Sequence, residues 1–268
     1  MGINLSKTIP KRIFSLVDVK PGEKLYEVCV ILTDVPGALA KATKVMANAN
    51  VNIKTGSVFY LPDRNELGSW TSFIDVSKAT KSIGEIVEDL RKLDVVEEVK
   101  FEEPKPAPFE TLHFPLLHGK TRAVIMPIGT IWAVWDGLEK ILLPSGFAAV
   151  NYNAGKKSGE HTATRLKEMY GLESTDLILA LIQALKATGW GIGEARDIDF
   201  RGLSGTIIVK ECFEAVAWRK KPYNVCHWTR GYIAGAVSVV FGKPVEAVEV
   251  RCLAKGDEHC EFKIQPKI

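Results

Sequence analysis

No apolar run in this 268-residue chain reaches the roughly 18–20 residues that cross a bilayer, so the sequence predicts no membrane span. It also lacks a basic start followed by an apolar stretch, which gives no secretory leader and predicts a cytoplasmic protein. The opening Met1-Gly2-Ile3-Asn4-Leu5-Ser6 fits a myristoylation pattern that chance supplies often. Cysteine is scarce: five residues, an odd number without framework spacing, point to a reducing compartment. Charge of one sign is lacking too. The formal balance is +3, and residues 1–105 carry fifteen basic and fifteen acidic side chains. With no lysine or arginine stripe and no recognition-helix motif, direct nucleic-acid binding has no support. A nucleophile elbow, a phosphate-binding loop, a dinucleotide fingerprint and a His-Glu-x-x-His helix are all missing. Enzymatic chemistry therefore gains little support.

What is present divides near Glu103-Pro-Lys-Pro-Ala-Pro-Phe109, where alternating prolines favour an extended connector. The expected division is an extension over 1–22, a first domain over 23–103, a proline-rich linker over 104–111 and a second domain over 112–268. In the first domain, Leu25–Leu32 alternates as a strand with Val28, Val30 and Leu32 on one face. Asp34-Val-Pro-Gly37 turns into a helix with apolar Leu39, Ala42, Met46 and Ala49. Val51–Tyr60 and Ser69–Val76 read as further strands. Ser82-Ile-Gly-Glu85 makes a capping box for a helix burying Ile83, Ile86, Val87, Leu90 and Leu93. Val95–Phe101 closes a ferredoxin-like βαββαβ unit. That order, with Asp34-x-Pro-Gly37-x-Leu39 and Val51-Asn52-Ile53, resembles an ACT domain over about 24–102. The resemblance implies pairing into a homodimer and amino-acid binding at the pair interface, with Asp34, Gly37 and Asn52 as the candidate residues. A glycine at a helix start lets a ligand carboxylate approach backbone N–H groups, and an amide both donates and accepts. The plainer reading is that Pro36-Gly37 makes the turn and Asn52 caps an edge.

The second half reads as another α+β domain. Ile128–Leu143 and Thr175–Thr188 look helical, Lys157–Tyr170 is more polar, and Phe147–Tyr152, Trp190–Phe200 and Thr206–Val209 look like strands. Trp132, Trp135, Trp190 and Trp218 are either core or the walls of an apolar pocket. His113, His118 and His161 carry no assignment. The tail is more telling. Glu249-Val-Arg-Cys252-Leu-Ala-Lys-Gly-Asp-Glu-His-Cys260 reads as a hairpin turning at Lys255-Gly256-Asp257, with 254 opposite 258 and Cys252 opposite Cys260. Cys226 follows Asn224, a good N-cap, at the start of a helix to about Phe241, where a thiolate is favoured. Three thiolates and a carboxylate close a tetrahedral zinc shell, with a disulfide between Cys252 and Cys260 as the competing outcome. Glu249 is three residues from Cys252, so strict alternation points the two to opposite faces unless a bulge intervenes. His227 and His259 stand beside cysteines as substitute ligands. Cys29 and Cys212 read as ordinary buried thiols.

Residues 205–264 resemble the 4-vinyl reductase domain family, through Glu211-Cys-Phe-Glu-Ala215, Val225-Cys-His-Trp-Thr-Arg-Gly-Tyr-Ile-Ala-Gly235 and the 249–260 hairpin. The resemblance implies a small-molecule-binding module with structural zinc held by Cys226, Glu249, Cys252 and Cys260. Val209 occupies a place where the aromatic sensors of that family carry a tryptophan. Together the two resemblances imply a non-catalytic regulatory protein that binds an amino acid or an apolar or aromatic metabolite and acts through a partner. The alternatives are a vinyl-reductase-like enzyme on a hydrophobic small molecule, and a trafficking-type scaffold with an acyl-filled pocket.

Overall fold

The computed structural model describes residues 17–61, 64, 66–118, 121–218 and 220–267. The myristoylation pattern and most of the 1–22 extension lie outside them. The chain separates into two compact units, one running through Val124 and one beginning at Ile125.

In the first unit the strands are β1 (Leu25–Thr33), β2 (Asn52–Ile53), β3 (Ser57–Tyr60), β4 (Leu67–Asp75) and β5 (Val96–Glu102), with helices α1 (Ala38–Asn48) and α2 (Ile83–Arg91). The sheet is antiparallel in the order β2-β4-β1-β5, with β3 also on β4. Val28, Val30 and Leu32 are buried with Ala42, Met46, Ile86 and Leu90 of the helices. The capping box forms: Glu85 N donates to Ser82 Oγ, and Ser82 N donates to Glu85 Oε2 at 2.8 Å. The single strand expected over Val51–Tyr60 is two pieces. Lys54 N and Thr55 N both donate to Phe73 O, so two residues oppose one and the edge is interrupted there.

Both faces of this sheet are covered, since β4 is buried from Gly68 to Ile74. On the face away from the helices, Val17, Leu25 and Phe73 form a small apolar cluster. The 104–111 stretch is part of this unit rather than a free connector. Val17 N donates to Pro108 O at 3.1 Å, and Thr111 N donates to Glu27 Oε2 at 3.0 Å. A short hairpin, β6 (Leu117–His118) with β7 (Thr121–Arg122), follows.

The second unit consists of α3 (Ile128–Tyr170), α4 (Ser174–Ala187), β8 (Ile192–Asp199), β9 (Ser204–Lys210), α5 (Phe213–Ala217), α6 (His227–Phe241), β10 (Val245–Arg251) and β11 (Cys260–Pro266). The strands form an antiparallel sheet in the order β10-β11-β9-β8. The strand expected at Phe147–Tyr152 is helix instead. Helix α3 breaks at Leu143 (φ 59°) and restarts at Pro144, a residue suited to a first helical turn. Phe147, Asn151, Gly155, Gly159 and Ala163, all four apart, then form one buried face. This stripe of small residues meets Gly231 and Gly235 of α6. A Cβ on Gly155 would lie 2.1 Å from Trp228 O, and one on Gly159 would lie 2.0 Å from Tyr232 O. The two helices thus touch backbone to backbone. Among the described residues no helix is long and apolar enough to cross a membrane.

Candidate functional site

The sulfur cluster is assembled by a bulge and a helix start. Strand β10 pairs Glu249 with Phe262 but Arg251 with Glu261, so the register slips by one at Val250. Val250 and Arg251 both face outward, and the extra residue returns Cys252 to the buried side that Glu249 already occupies. The expected conflict of alternation is resolved this way. The expected tight turn is replaced by a 3₁₀ turn over Leu253–Lys255, and the ladder stops at Arg251–Glu261, short of 254 and 258. Cys252 O accepts from Lys255 N at 3.0 Å, Cys252 N donates to Asp257 Oδ2 at 2.8 Å, and Gly256 takes φ 106°. Leu253 N points at Cys260 Sγ, 3.4 Å away, as a backbone donor to sulfur.

Cys226 itself, rather than Asn224, is the N-cap residue of α6. The Asn224 amide instead donates to Glu249 O at 2.5 Å. Cys226 N donates to Glu249 Oε2 at 3.1 Å, which leaves Glu249 Oε1 buried without a partner. The helix start is capped from elsewhere. The fully buried Glu214 carboxylate accepts from Trp228 N at 2.9 Å and Thr229 N at 2.8 Å. Burial pushes its pKa up to about 8. Sequence reasoning missed this role, although Glu214 lies in the 211–215 segment.

Cys226, Glu249, Cys252 and Cys260 are all buried, with their ligand atoms within 4.8 Å of one another. The sulfur of Cys226 lies 3.9 Å from that of Cys252 and 3.6 Å from that of Cys260. A tetrahedral ion with metal–sulfur bonds of about 2.3 Å sets its sulfurs roughly 3.8 Å apart. All five cysteines are free thiols. Burial drives Glu249 up to about 9, with Cys252 adding, and raises the Cys226 thiol far above its usual range. Anions crowded in this way need a cation to ionise together, and the orphaned Glu249 oxygen is available to one. The donor set therefore fits a metal. Cys212 is a neighbour the sequence left out: its sulfur is 3.8 Å from Cys226 Sγ and 3.5 Å from Thr229 Oγ1. Neither His227 nor His259 joins the cluster. His227 stacks edge-on to Phe147, and His259 lies 3.7 Å from Glu261.

Beside the cluster is a chain of rings. Trp218 meets Phe147 and Trp132, while Trp190 meets Phe213, Trp228 and Tyr232, with centroids 5.2–6.5 Å apart. The indole N–H groups of Trp218 and Trp228 are buried without an acceptor. Burial lowers His227 to about 4, so its imidazole is neutral. An enclosed space of about 20 Å³ lies between Ile178, Leu181, Ile207 and Tyr232, enough for one water.

The three residues suggested for amino-acid binding are exposed. Gly37 is the N-cap of α1 at φ 88°, and Asp34 N donates to Glu66 O at 2.7 Å. Asn52 pairs with Asp75, which pairs with Leu25 at the start of β1. Asp34 and Gly37 follow its far end, roughly 26 Å along the strand at about 3.3 Å per residue. One chain does not bring them together.

Residues 206–266 match the family model of the 4-vinyl reductase domain. That segment contains every residue of the sulfur cluster. The uncharacterized protein MJ0150 of Methanocaldococcus jannaschii is 28% identical over 151 residues, which are 56% of this chain and 82% of that protein. Among solved structures, the phenol-responsive sensory domain of the transcription activator PoxR, crystallised with phenol, aligns with a TM-score of 0.51 at 21% identity, over 55% of this chain and 78% of that one. The two share a fold. A vinyl-4-reductase family protein from Methanocaldococcus jannaschii aligns over 56% of this chain and 85% of that one, at 17% identity and a TM-score of 0.38, below the level of a shared fold.

Proposed function

We propose that this is a non-catalytic, small-molecule-sensing protein whose second unit binds an apolar or aromatic metabolite carrying at least one oxygen. The observation that carries this reading is the pair of buried, unpaired indole donors, Trp218 Nε1 and Trp228 Nε1, in a ring-lined interior. An unsatisfied buried donor costs about 1–3 kcal/mol. A ligand oxygen reaching either indole removes that cost, and neutral His227 beside Phe147 can donate or accept as well. The likeness to the PoxR sensory domain supports a ligand-binding use of this fold. Because the enclosed space holds only about one water, occupancy requires the side chains of α4 and α6 to part.

In this reading the sulfur cluster holds zinc. Four protein donors leave no open position for water or substrate, so the ion would be structural: it would fix the start of α6 and the 252–260 loop beside the rings. The first unit would act as an ACT-type module, a role supported by its βαββαβ order and sheet. Because Asp34 and Gly37 lie far from Asn52 in one chain, an amino-acid site using all three would form between the two copies of a homodimer. Native mass spectrometry of the full chain with a metabolite extract tests the sensing role. A retained small molecule, displaced in Trp218→Phe, is the expected result, and no retained mass under gentle conditions contradicts it.

A further inference from the structure

We infer a second metal site, built from Glu27, Glu110 and His113 on the helix-free face of the first sheet, for a divalent ion of the manganese or ferrous class. Glu27 and Cys29 alternate on β1 with the valines that face the helices, so both side chains project to the opposite face. The stretch after β5 crosses that face and brings Glu110 and His113 over it. The ligand atoms of Glu27, Glu110 and His113 lie within 4.8 Å of one another.

The ring of His113 is held from both sides. Nδ1 lies 2.6 Å from Glu110 Oε1, and Nε2 lies 3.0 Å from Thr71 Oγ1 and 3.5 Å from Cys29 Sγ. An ion between the carboxylates would take Nδ1, leaving Nε2–H to Thr71. Metal-bound histidines commonly hold their second nitrogen in this way. Cys29 then lies behind the ring, outside the ligand set.

A buried orphan points to the ion independently of the acidic cluster. Glu27 is completely buried, its Oε2 accepts from Thr111 N, and its Oε1 has no hydrogen-bond partner. Among the described residues no lysine or arginine pairs with Glu27 or Glu110. Lys100, the register partner of Cys29 on β5, is turned to Glu98 at 3.3 Å, and Glu102 opposite Glu27 adds another carboxylate. Burial and the adjacent Glu110 raise Glu27 to about 7. A divalent ion offsets the crowding and gives Oε1 a partner. Two carboxylates and an imidazole suit manganese or ferrous iron better than a thiolate-rich shell does. Three protein donors and a part-exposed imidazole leave coordination positions open to solvent or to a small anionic ligand.

The competing account is a proton shared by Glu27 and Glu110 beside a charged His113. Manganese(II) titration of the full-length, zinc-loaded chain, followed by electron paramagnetic resonance of the free ion, separates the two. We expect one saturable manganese per chain, weakened at least about 10-fold in Glu27→Gln and in Glu110→Gln, with zinc content and circular dichroism unchanged. Cys252→Ser should leave manganese binding intact. If Glu27→Gln fails to fold, the part-exposed Glu110→Gln carries the comparison. Absence of saturable manganese, wild-type affinity in the glutamine variants, or loss of binding only in Cys252→Ser overturns the site.

Discussion

The sulfur cluster of the second unit and the carboxylate–imidazole cluster of the first solve the same electrostatic problem with different chemistry. In both, a buried glutamate oxygen lacks a partner and burial raises the carboxyl well above its ordinary range. One is sealed: all four donors are buried, three are soft, and they come from residues 226–260. The other is half-open, with a part-exposed imidazole over a buried acid, and its donors are hard. A sealed, four-donor shell suits an ion that stabilises the fold. An open, three-donor shell suits one that exchanges or meets a ligand.

Breaking the sealed site should have the largest effect. Cys252→Ser is expected to abolish zinc uptake and to destabilise the second unit by at least about 5 kcal/mol, because metal-binding energy at such a site is folding energy. Elemental analysis together with chemical denaturation checks this. Next comes the helix contact that places Cys226. Gly159→Ala forces a methyl group against Tyr232 O and should cost about 3 kcal/mol by urea unfolding, with zinc content reduced only as far as the fold is lost. Glu214→Ala strands the amides of Trp228 and Thr229 and should cost about 2 kcal/mol, measured in the same way, whereas Glu214→Gln should recover part of it. The smallest change sharpens the contrast. In chelator, Glu27→Gln should alter stability by less than about 1 kcal/mol. In manganese at 100 times its dissociation constant, the wild type alone should gain about 2.7 kcal/mol. Thermal melts of the two proteins with and without the ion measure it.

The two sites are unequally legible in the sequence, for a physical reason. Cys226, Cys252 and Cys260 stand close together in the chain, and a hairpin register brings two of them to one face, so local pattern is enough. Even the bulge is foreseeable, because Glu249 and Cys252 are three apart and only an extra residue puts both inside. Glu27 and His113 are separated by more than eighty residues, and the segment carrying Glu110 and His113 reads as linker and domain start. Its prolines describe an extended backbone, but nothing in them says that the backbone lies across a sheet. The available signal is a glutamate within the apolar strand Leu25–Leu32, on the face not needed by the helices. The βαββαβ order emerges from alternation and capping. The second half of α3 does not, because Phe147–Val150 is too short to separate strand from helix. The small residues that settle it are spaced by four over seventeen positions.

Zinc K-edge X-ray absorption on the purified full-length chain tests the central claim most directly. We expect three sulfurs at about 2.3 Å and one oxygen at about 2.0–2.2 Å around a single zinc. A protein that binds no zinc, with Cys252 and Cys260 joined at about 2.05 Å, would contradict it.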